Sequence, residues 1–223
     1  MAQALPEVAA QSNPSAAPRL RWSTLLQSLA SAAVVMVVAE ALRIFVGANY
    51  FTVVPGRCYR SAQPTERFLE HAQRAYGIRA IFNLRDENEN ESWYQEEKRA
   101  AERLGIKLVN AGLASKEQPP EPDFHRFVLS LRDCPEPMVI HCANGNDRTG
   151  LASAVYLLLR TDTSIPEARR HLSLRYGHFA VGKTLCLHRI LDSYESWLAE
   201  THQEHNADRL CWWAVHVYKQ ESN

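Results

Sequence analysis

The sequence predicts an α/β domain with a parallel-rich central sheet flanked by helices, preceded by an apolar N-terminal helix. Short apolar runs flanked by breakers indicate buried strands at 80–84, 107–110 and 138–141. Apolar residues at helical spacing occupy the segments between them, at 64–76, 91–104 and 122–133. Strands that alternate with helices favour a parallel sheet, because each helix returns the chain to the same edge.

Length and charge limit the classes of function. A chain of 223 residues holds one ordinary domain with extensions. Basic and acidic residues balance at 25 each, so no overall field attracts nucleic acid. The five cysteines form no CxxC pair and no cysteine–histidine cluster with zinc spacing. We therefore expect no nucleic-acid partner, no metal, and an anion site that is local.

The N-terminal part is predicted to contain a tail and a membrane span. Residues 1–21 are expected to form a disordered cytoplasmic tail, since the first 18 are rich in Ala, Pro, Ser and Gln without periodicity. An uncharged stretch follows from Trp22 to Ala39. A helix over 25–46 is roughly 33 Å long, enough for a hydrocarbon core of about 30 Å. Residues 22–46 are thus predicted to form a transmembrane helix or an uncleaved signal anchor.

The charges around this stretch suggest an orientation and also two alternatives. Arg19 and Arg21 precede it, which favours a cytoplasmic N-terminus and a single-pass protein with an extracytoplasmic, in bacteria periplasmic, catalytic domain. Glu40 and Arg43 weaken the span. Segment 39–41 resembles an A-x-A cleavage site, so a cleaved signal peptide is one alternative. A buried core helix is the other.

The remaining chain divides into a catalytic domain, 50–199, and a C-terminal extension, 200–223. After residue 148 the pattern is helical, at 150–159, 166–176 and 183–198. The extension carries large apolar side chains that we expect to pack on the domain, namely Leu210, Trp212, Trp213, Val215 and Tyr218.

A ten-residue segment between the last predicted strand and the next helix carries the candidate chemistry. A strand, a tight loop and a helix N-terminus together form an anion cradle. Five residues separate Cys142 from Arg148, which lets the backbone N–H groups converge on one tetrahedral oxyanion, and Gly145 permits the tight curl. The predicted phosphate-binding residues are Ala143, Asn144, Gly145, Asn146, Asp147 and Arg148.

Four residues of this segment receive individual roles. Cys142 is the candidate nucleophile, because a cradle of amides stabilises the reactive thiolate. The planar fork of Arg148 matches two phosphate oxygens. Thr149 and His141 are predicted to stabilise the thiolate, Thr149 by donating its hydroxyl to the sulfur and His141 by ordering the loop through hydrogen bonds.

The segment His141–Gly150 resembles the H-C-x5-R-T-G signature of the cysteine-based protein tyrosine and dual-specificity phosphatases. The resemblance to the bacterial dual-specificity-like branch extends to segments 59–64, 83–85 and 173–178. It implies a protein tyrosine phosphatase-like fold over about 50–199 and a phosphocysteine formed on Cys142. It implies neither a metal nor an organic cofactor.

The sequence contains several candidates for the general acid. Tyrosine phosphatases carry an aspartate on a loop about thirty residues before the cysteine, whereas the sequence here at 110–117 lacks one. Asp147 resembles the acid of the C-x2-G-x-D-R variant and is our first candidate. The alternatives are Glu117, Glu121, Asp123 and Asp86. Arg85, after a buried strand, is expected either to add positive potential or to pair with Asp86 or Glu87.

The substrate class follows from the charge of the loop. Ala143, Asn144 and Asn146 are neutral, which favours simple monoesters over multiply anionic ligands. We expect a phosphorylated protein or a small phosphomonoester as partner. A phosphatase of a lipid or inositol phosphate is one alternative, and a catalytically weak, membrane-anchored phosphate-binding module is another.

Overall fold

The structure, a computed structural model, describes residues 22–45, 47–114 and 116–220. The chain divides into two compact units, residues 1–39 and residues 40–223. The predicted disordered tail, residues 1–21, lies outside the described residues.

The first described element is a long helix, α1 (Trp22–Phe45). The helical part of the prediction for 22–46 is therefore confirmed. The predicted membrane span is not supported, nor is the membrane as a partner, because no helix among the described residues is long and apolar enough to cross a membrane. The polar Gln27 and the charged Glu40 and Arg43 interrupt the apolar sequence of α1. The extracytoplasmic location that rested on this span stays a prediction.

Five strands in the described part of the chain form one mixed sheet. They are β1 (Phe51–Val54), β2 (Cys58–Ser61), β3 (Ala80–Asn83), β4 (Lys107–Asn110) and β5 (Met138–His141). Their order is β1-β2-β5-β3-β4, with β1 antiparallel to β2 and every other pair parallel. The parallel-rich sheet is confirmed, and β3 ends one residue before its predicted end. The β1–β2 hairpin was not predicted, because β2 is fully buried yet includes Arg60.

Three helices make the connections between the strands, α2 (Glu66–Tyr76), α3 (Ser92–Leu104) and α4 (Glu121–Asp133). Their bounds agree with the predicted segments to within two residues. α2 begins after Thr65, whose hydroxyl oxygen accepts a hydrogen bond from the backbone N–H of Phe68. Gly77 and Gly105 follow α2 and α3 as C-caps, as predicted.

Four helices follow β5 in the described part of the chain, namely α5 (Asp147–Arg160), α6 (Ile165–Arg169), α7 (Cys186–Glu200) and α8 (Ala207–His216). α5 begins three residues before its predicted start, so part of the candidate loop is already helical. The predicted helix over 166–176 is wrong in its second half. Ser173 has an extended backbone there, and only a short 3₁₀ helix, Leu174–Tyr176, follows it.

Apolar cores lie on both faces of the sheet, since alternate strand residues point to opposite sides. Phe82 and Ile140 belong to the larger core, which α4, α5, α7 and α8 cover. Ile81 and Val139 belong to the smaller one, under α2 and α3. His141 is paired with Ser61 on one side and Asn83 on the other, so β2, β5 and β3 end side by side. Loops that leave these three strands therefore meet at one edge.

Leu210, Trp213 and Tyr218 are buried against the domain, as predicted, whereas the prediction is wrong for Trp212, whose side chain is exposed. Trp213 in α8 is only 1% exposed, and its ring lies 6.0 Å from Phe124 of α4 and 5.1 Å from Tyr194 of α7. The hydroxyl of Tyr218 donates a 2.8 Å hydrogen bond to the carbonyl of Pro119. The C-terminal segment is thus tied to the residues that lead into α4.

Replacing the buried tryptophan should destabilise the domain strongly. Trp213→Ala removes a fully buried indole, so we expect the free energy of unfolding to fall by about 3–5 kcal/mol. Trp212→Ala is the matched control, because the neighbouring indole is 50% exposed. Denaturant-induced unfolding measures both, and equal losses in the two variants would contradict the packing described.

Candidate active site

The candidate loop lies where the three central strands end. Cys142 directly follows β5 and is only 4% exposed. The backbone N–H of Gly145 donates a 3.2 Å hydrogen bond to its sulfur. Asp147, five residues after the cysteine, is the first residue of α5. The sulfur is thus held between a strand end and a helix N-terminus, where backbone N–H groups are available to an anion.

The side chain of Arg60 stabilises the candidate loop through hydrogen bonds to its carbonyls. Its side chain is fully buried, and Nη2 donates hydrogen bonds to the carbonyls of Gly145 at 2.8 Å and Asn146 at 3.3 Å. Nη1 donates to the carbonyl of His171 at 3.0 Å, and the guanidinium carbon lies 4.1 Å from the centre of the Tyr176 ring. Burial lowers the pKa of Arg60 to about 10, so it is still charged at neutral pH.

Two further groups donate hydrogen bonds to the remaining carbonyls of the loop. The side-chain amide of Asn49 donates to the carbonyl of Asn144 at 3.1 Å and to Oδ1 of Asn146 at 2.7 Å. The backbone N–H of Gln63 donates to the carbonyl of Ala143 at 3.1 Å. All four carbonyls from 143 to 146 are therefore bonded by groups outside the cradle. The loop can then present its N–H groups to a bound anion.

Gly145 is required for this curl. Its φ of 72° is in the left-handed region that side chains rarely adopt. A Cβ at this position would lie 2.7 Å from the backbone nitrogen of Ala62 and 2.8 Å from the carbonyl oxygen of Ser61. Both contacts are with backbone, which cannot move aside easily.

Two arginines lie at the entrance to the loop. Nη1 of Arg148 donates a 3.1 Å hydrogen bond to the carbonyl of Leu84, which fixes one side of its guanidinium. Arg85 stacks 3.5 Å from the centre of the Trp93 ring and donates to Oε1 of Gln63 at 2.8 Å. Burial and the positive charge of Arg148 both lower the pKa of Arg85. Arg85 therefore adds positive potential beside Arg148, which is the first of its two predicted roles.

The two residues predicted to stabilise the thiolate have other surroundings. Thr149 is fully buried, but its hydroxyl makes no hydrogen bond with the described residues, so the expected bond to the sulfur is not formed. His141 is also fully buried, with Nε2 2.7 Å from Oε1 of Glu97 in α3. The contact between these two atoms lies outside hydrogen-bond geometry. His141 thus contacts a buried carboxylate instead of the sulfur.

Asp147 is joined to two histidines. Its Oδ1 lies 2.6 Å from Nδ1 of His178, which is in the loop before α7. Nε2 of His178 lies 3.0 Å from Nε2 of His188 in α7. The Asp147 side chain is 31% exposed, whereas that of His178 is fully buried. Asp147 therefore reaches solvent from a supported position inside the loop.

The four alternative acids are placed differently: they are Glu117, Glu121, Asp123 and Asp86. Asp86 and Asp123 both pair with Arg126, at 3.4 and 3.3 Å. Glu121 pairs with Lys219 of the C-terminal segment at 3.2 Å, and Glu117 is exposed. Three of the four are thus held by partners that lie outside the candidate loop.

Four residues that support the loop received no role from the sequence: Asn49, Arg60, His178 and His188. A charged residue inside a short, otherwise uncharged run was the available signal for Arg60. His178 was marked only as the last residue of the segment 173–178 that resembles the phosphatases. Asn49 and His188 gave no signal, because only the tertiary fold brings them to the site.

The cysteines and acidic side chains were also candidates for disulfides and for a metal site. Cys58, Cys134, Cys142, Cys186 and Cys211 are all free and buried. Within the part of the chain that the structure describes, no three His, Cys, Asp or Glu side chains are grouped so that they could hold a metal ion.

Replacing the guanidinium of Arg60 by the single ammonium group of a lysine should weaken anion binding at the loop. Arg60→Lys keeps the charge but cannot reach three carbonyls at once, and each buried acceptor left unpaired costs about 1–3 kcal/mol. We expect inorganic phosphate to bind at least about tenfold more weakly, which corresponds to about 1.4 kcal/mol. The measurement is the inhibition constant of phosphate.

Arg57→Lys is the control for this substitution, because Arg57 precedes the same strand and pairs instead with Glu136 at 2.8 Å. Unchanged phosphate affinity in Arg60→Lys would contradict this expectation, and so would equal losses of affinity in both variants. Either result would show that the hydrogen bonds of the Arg60 guanidinium do not determine the shape of the loop.

Comparison with known proteins shows the family to which the chain belongs. A family model described as a DSP-PTPase phosphatase fused to NAD+ kinase matches residues 54–181, more than half of the chain. No curated protein is similar enough in sequence to count as a match.

Two solved structures share the fold. TpbA of P. aeruginosa is 17% identical with a TM-score of 0.51, over 69% of this chain and 92% of that one. A mutant form of Tk-PTP is 18% identical with a TM-score of 0.52, over 68% of this chain and 97% of that one. The chain thus belongs to the DSP-PTPase phosphatase family that the model describes, and it is a phosphatase of the cysteine-based dual-specificity type.

Proposed function

We propose that the protein hydrolyses phosphomonoesters through a phosphocysteine intermediate. Cys142 is the nucleophile, Arg148 and the backbone N–H groups of the loop bind the phosphate oxygens, and Asp147 is the general acid. The observation that carries the proposal is that the backbone carbonyl of every residue from 143 to 146 accepts a hydrogen bond from a group outside the loop. The N–H groups of the loop are then available around the buried sulfur, where negative charge on a transferring phosphoryl group requires donors.

The proposed reaction has two steps. The Cys142 thiolate attacks phosphorus, an S–P bond forms as the ester P–O bond breaks, and the leaving oxygen takes a proton from Asp147. Water then attacks phosphorus and gives a proton to the Asp147 carboxylate as the S–P bond breaks. The thiolate and the acid are restored, and inorganic phosphate leaves. Arg148 holds the equatorial oxygens in both steps.

The position of the C-terminal segment supports Asp147 as the acid. The loop before α4, where tyrosine phosphatases carry their aspartate, is bonded by Tyr218 at Pro119 and by Gln220 at the carbonyl of Gln118 at 2.7 Å. A movement of this end of the loop over the phosphate would have to break both bonds. Asp147 needs no such movement, because it is already part of the loop.

The neutral loop supports a phosphorylated protein or a small monoester as substrate. Arg85 favours a second candidate, since its charge beside Arg148 suits a substrate with another negative group near the phosphate. A lipid or inositol phosphate has that chemistry. Comparing kcat/KM for a phosphotyrosine peptide and an inositol phosphate in wild type and Arg85→Gln decides between them. A loss confined to the inositol phosphate would favour the second candidate.

Substitution of the nucleophile and of the acid tests the mechanism. With para-nitrophenyl phosphate and a chelator, we expect Cys142→Ser to abolish phosphate release, because a hydroxyl is not ionised at neutral pH. Asp147→Asn should lower kcat roughly 100-fold or more on substrates with basic leaving groups, the range typical of general acids. Cys134→Ser and Asp123→Asn are the matched controls, since both residues lie outside the loop.

Two outcomes would contradict the mechanism. Full activity in Cys142→Ser would remove the phosphocysteine. A folded wild-type protein that binds phosphate but releases none from any ester would instead indicate a phosphate-binding module.

A further inference from the structure

A chain of three side chains leads from the active-site loop into the helical layer. It joins Asp147, at the start of α5, to His178 and then to His188 of α7, with contacts of 2.6 and 3.0 Å. The resemblance to phosphatases assigns a role to Asp147 alone. Asp147 and His188 between them occupy both ring nitrogens of His178, in a place where water does not reach the ring.

The burial of His178 restricts where its protons lie. A buried imidazole needs a donor or acceptor at each nitrogen, and here the partners are a carboxyl oxygen and another imidazole nitrogen. Burial is the main cause that lowers the pKa of His188, and nearby Arg169 adds to it, so the neutral imidazole is favoured. Either of the two Nε2 atoms can be the donor, according to the tautomers of the rings. When neutral His188 donates from its Nε2, Nε2 of His178 is the acceptor. His178 then carries its proton on Nδ1 and donates it to Oδ1 of Asp147.

We propose that His178 is the positioning residue of the general acid, and that His188 fixes the tautomer that His178 needs for this. The inference rests on the proposed role of Asp147. With Oδ1 accepting from His178, the transferable proton of the acid is on Oδ2, the oxygen not engaged by the imidazole. The bond from His178 thereby holds the carboxyl group in one orientation, with its transferable proton on Oδ2.

The same arrangement serves both steps of the reaction. In the first, the proton on Oδ2 passes to the leaving oxygen, and the resulting carboxylate keeps its hydrogen bond from Nδ1 of His178. In the second, Oδ2 takes a proton from the attacking water. His178 and His188 neither gain nor lose a proton in the cycle. Their contribution is orientation, which is worth most when the leaving group cannot depart without a proton.

This dependence on the leaving group supplies the test. Phenyl phosphate and para-nitrophenyl phosphate have similar shapes, but the nitrophenolate leaves readily unprotonated and the phenolate does not. For His178→Leu in the full chain, we expect kcat/KM on phenyl phosphate to fall roughly 100-fold, with a much smaller loss on para-nitrophenyl phosphate. His178→Asn places an amide donor near the position of Nδ1 and should restore part of the loss.

His205→Gln is the matched control. His205 is another partly buried histidine, bonded to Tyr194 at 2.9 Å and to the carbonyl of Leu158 at 3.1 Å, near the far end of α5. Its replacement should lower the unfolding temperature but leave the ratio of the two kcat/KM values unchanged. If His178→Leu does not fold, His178→Asn and His188→Leu provide the comparison, and both should shift the ratio in the same direction as Asp147→Asn.

The outcomes separate this inference from the proposed function. Equal losses on both substrates in the His178 variants, together with a selective loss in Asp147→Asn, would overturn the positioning role and leave the acid in place. No selective loss in Asp147→Asn would instead remove Asp147 as the acid. A selective loss in Asp147→Asn, His178→Leu and, to a smaller degree, His188→Leu is the expected result.

Discussion

The buried guanidinium of Arg60 maintains the shape of the phosphate loop. A charge inside a protein is costly unless its donors are used, and here the carbonyls of Gly145, Asn146 and His171 accept from it while Tyr176 covers its face. Because those carbonyls are held behind the loop, the N–H groups are left for the anion. One side chain thereby supplies both the geometry of the cradle and a positive field beneath it.

The parts of the site that are local in sequence could be predicted. Strand, cysteine, glycine, arginine and helix follow one another within a few residues, so the cradle of Cys142 and Arg148 was evident from spacing alone. Arg60, Asn49 and His178 are separated from their loop partners by 85, 95 and 31 residues. Which distant polar group meets which carbonyl is decided by the packing of whole elements, and no local pattern contains that information.

The fold shows the same division. β4 and β5 were predicted because their short runs have clear breakers on each side, whereas β2 was missed because a buried arginine disguises its pattern. The apolar composition of α1 was sufficient to predict a helix but not its environment. Thr149 illustrates the limit within the site itself, since the predicted hydrogen bond from its hydroxyl to the sulfur is not formed.

The bond between Tyr218 and Pro119 ties the segment after α8 to the residues that lead into α4. Protein synthesis proceeds from the amino terminus, so the phosphate loop leaves the ribosome well before α8 does. Until α8 has emerged, the bond from Tyr218 to Pro119 is not formed and the surface that receives Trp213 is open to water. A nascent chain of this enzyme therefore carries its complete signature loop for some time before α8 and Tyr218 fold back onto α4.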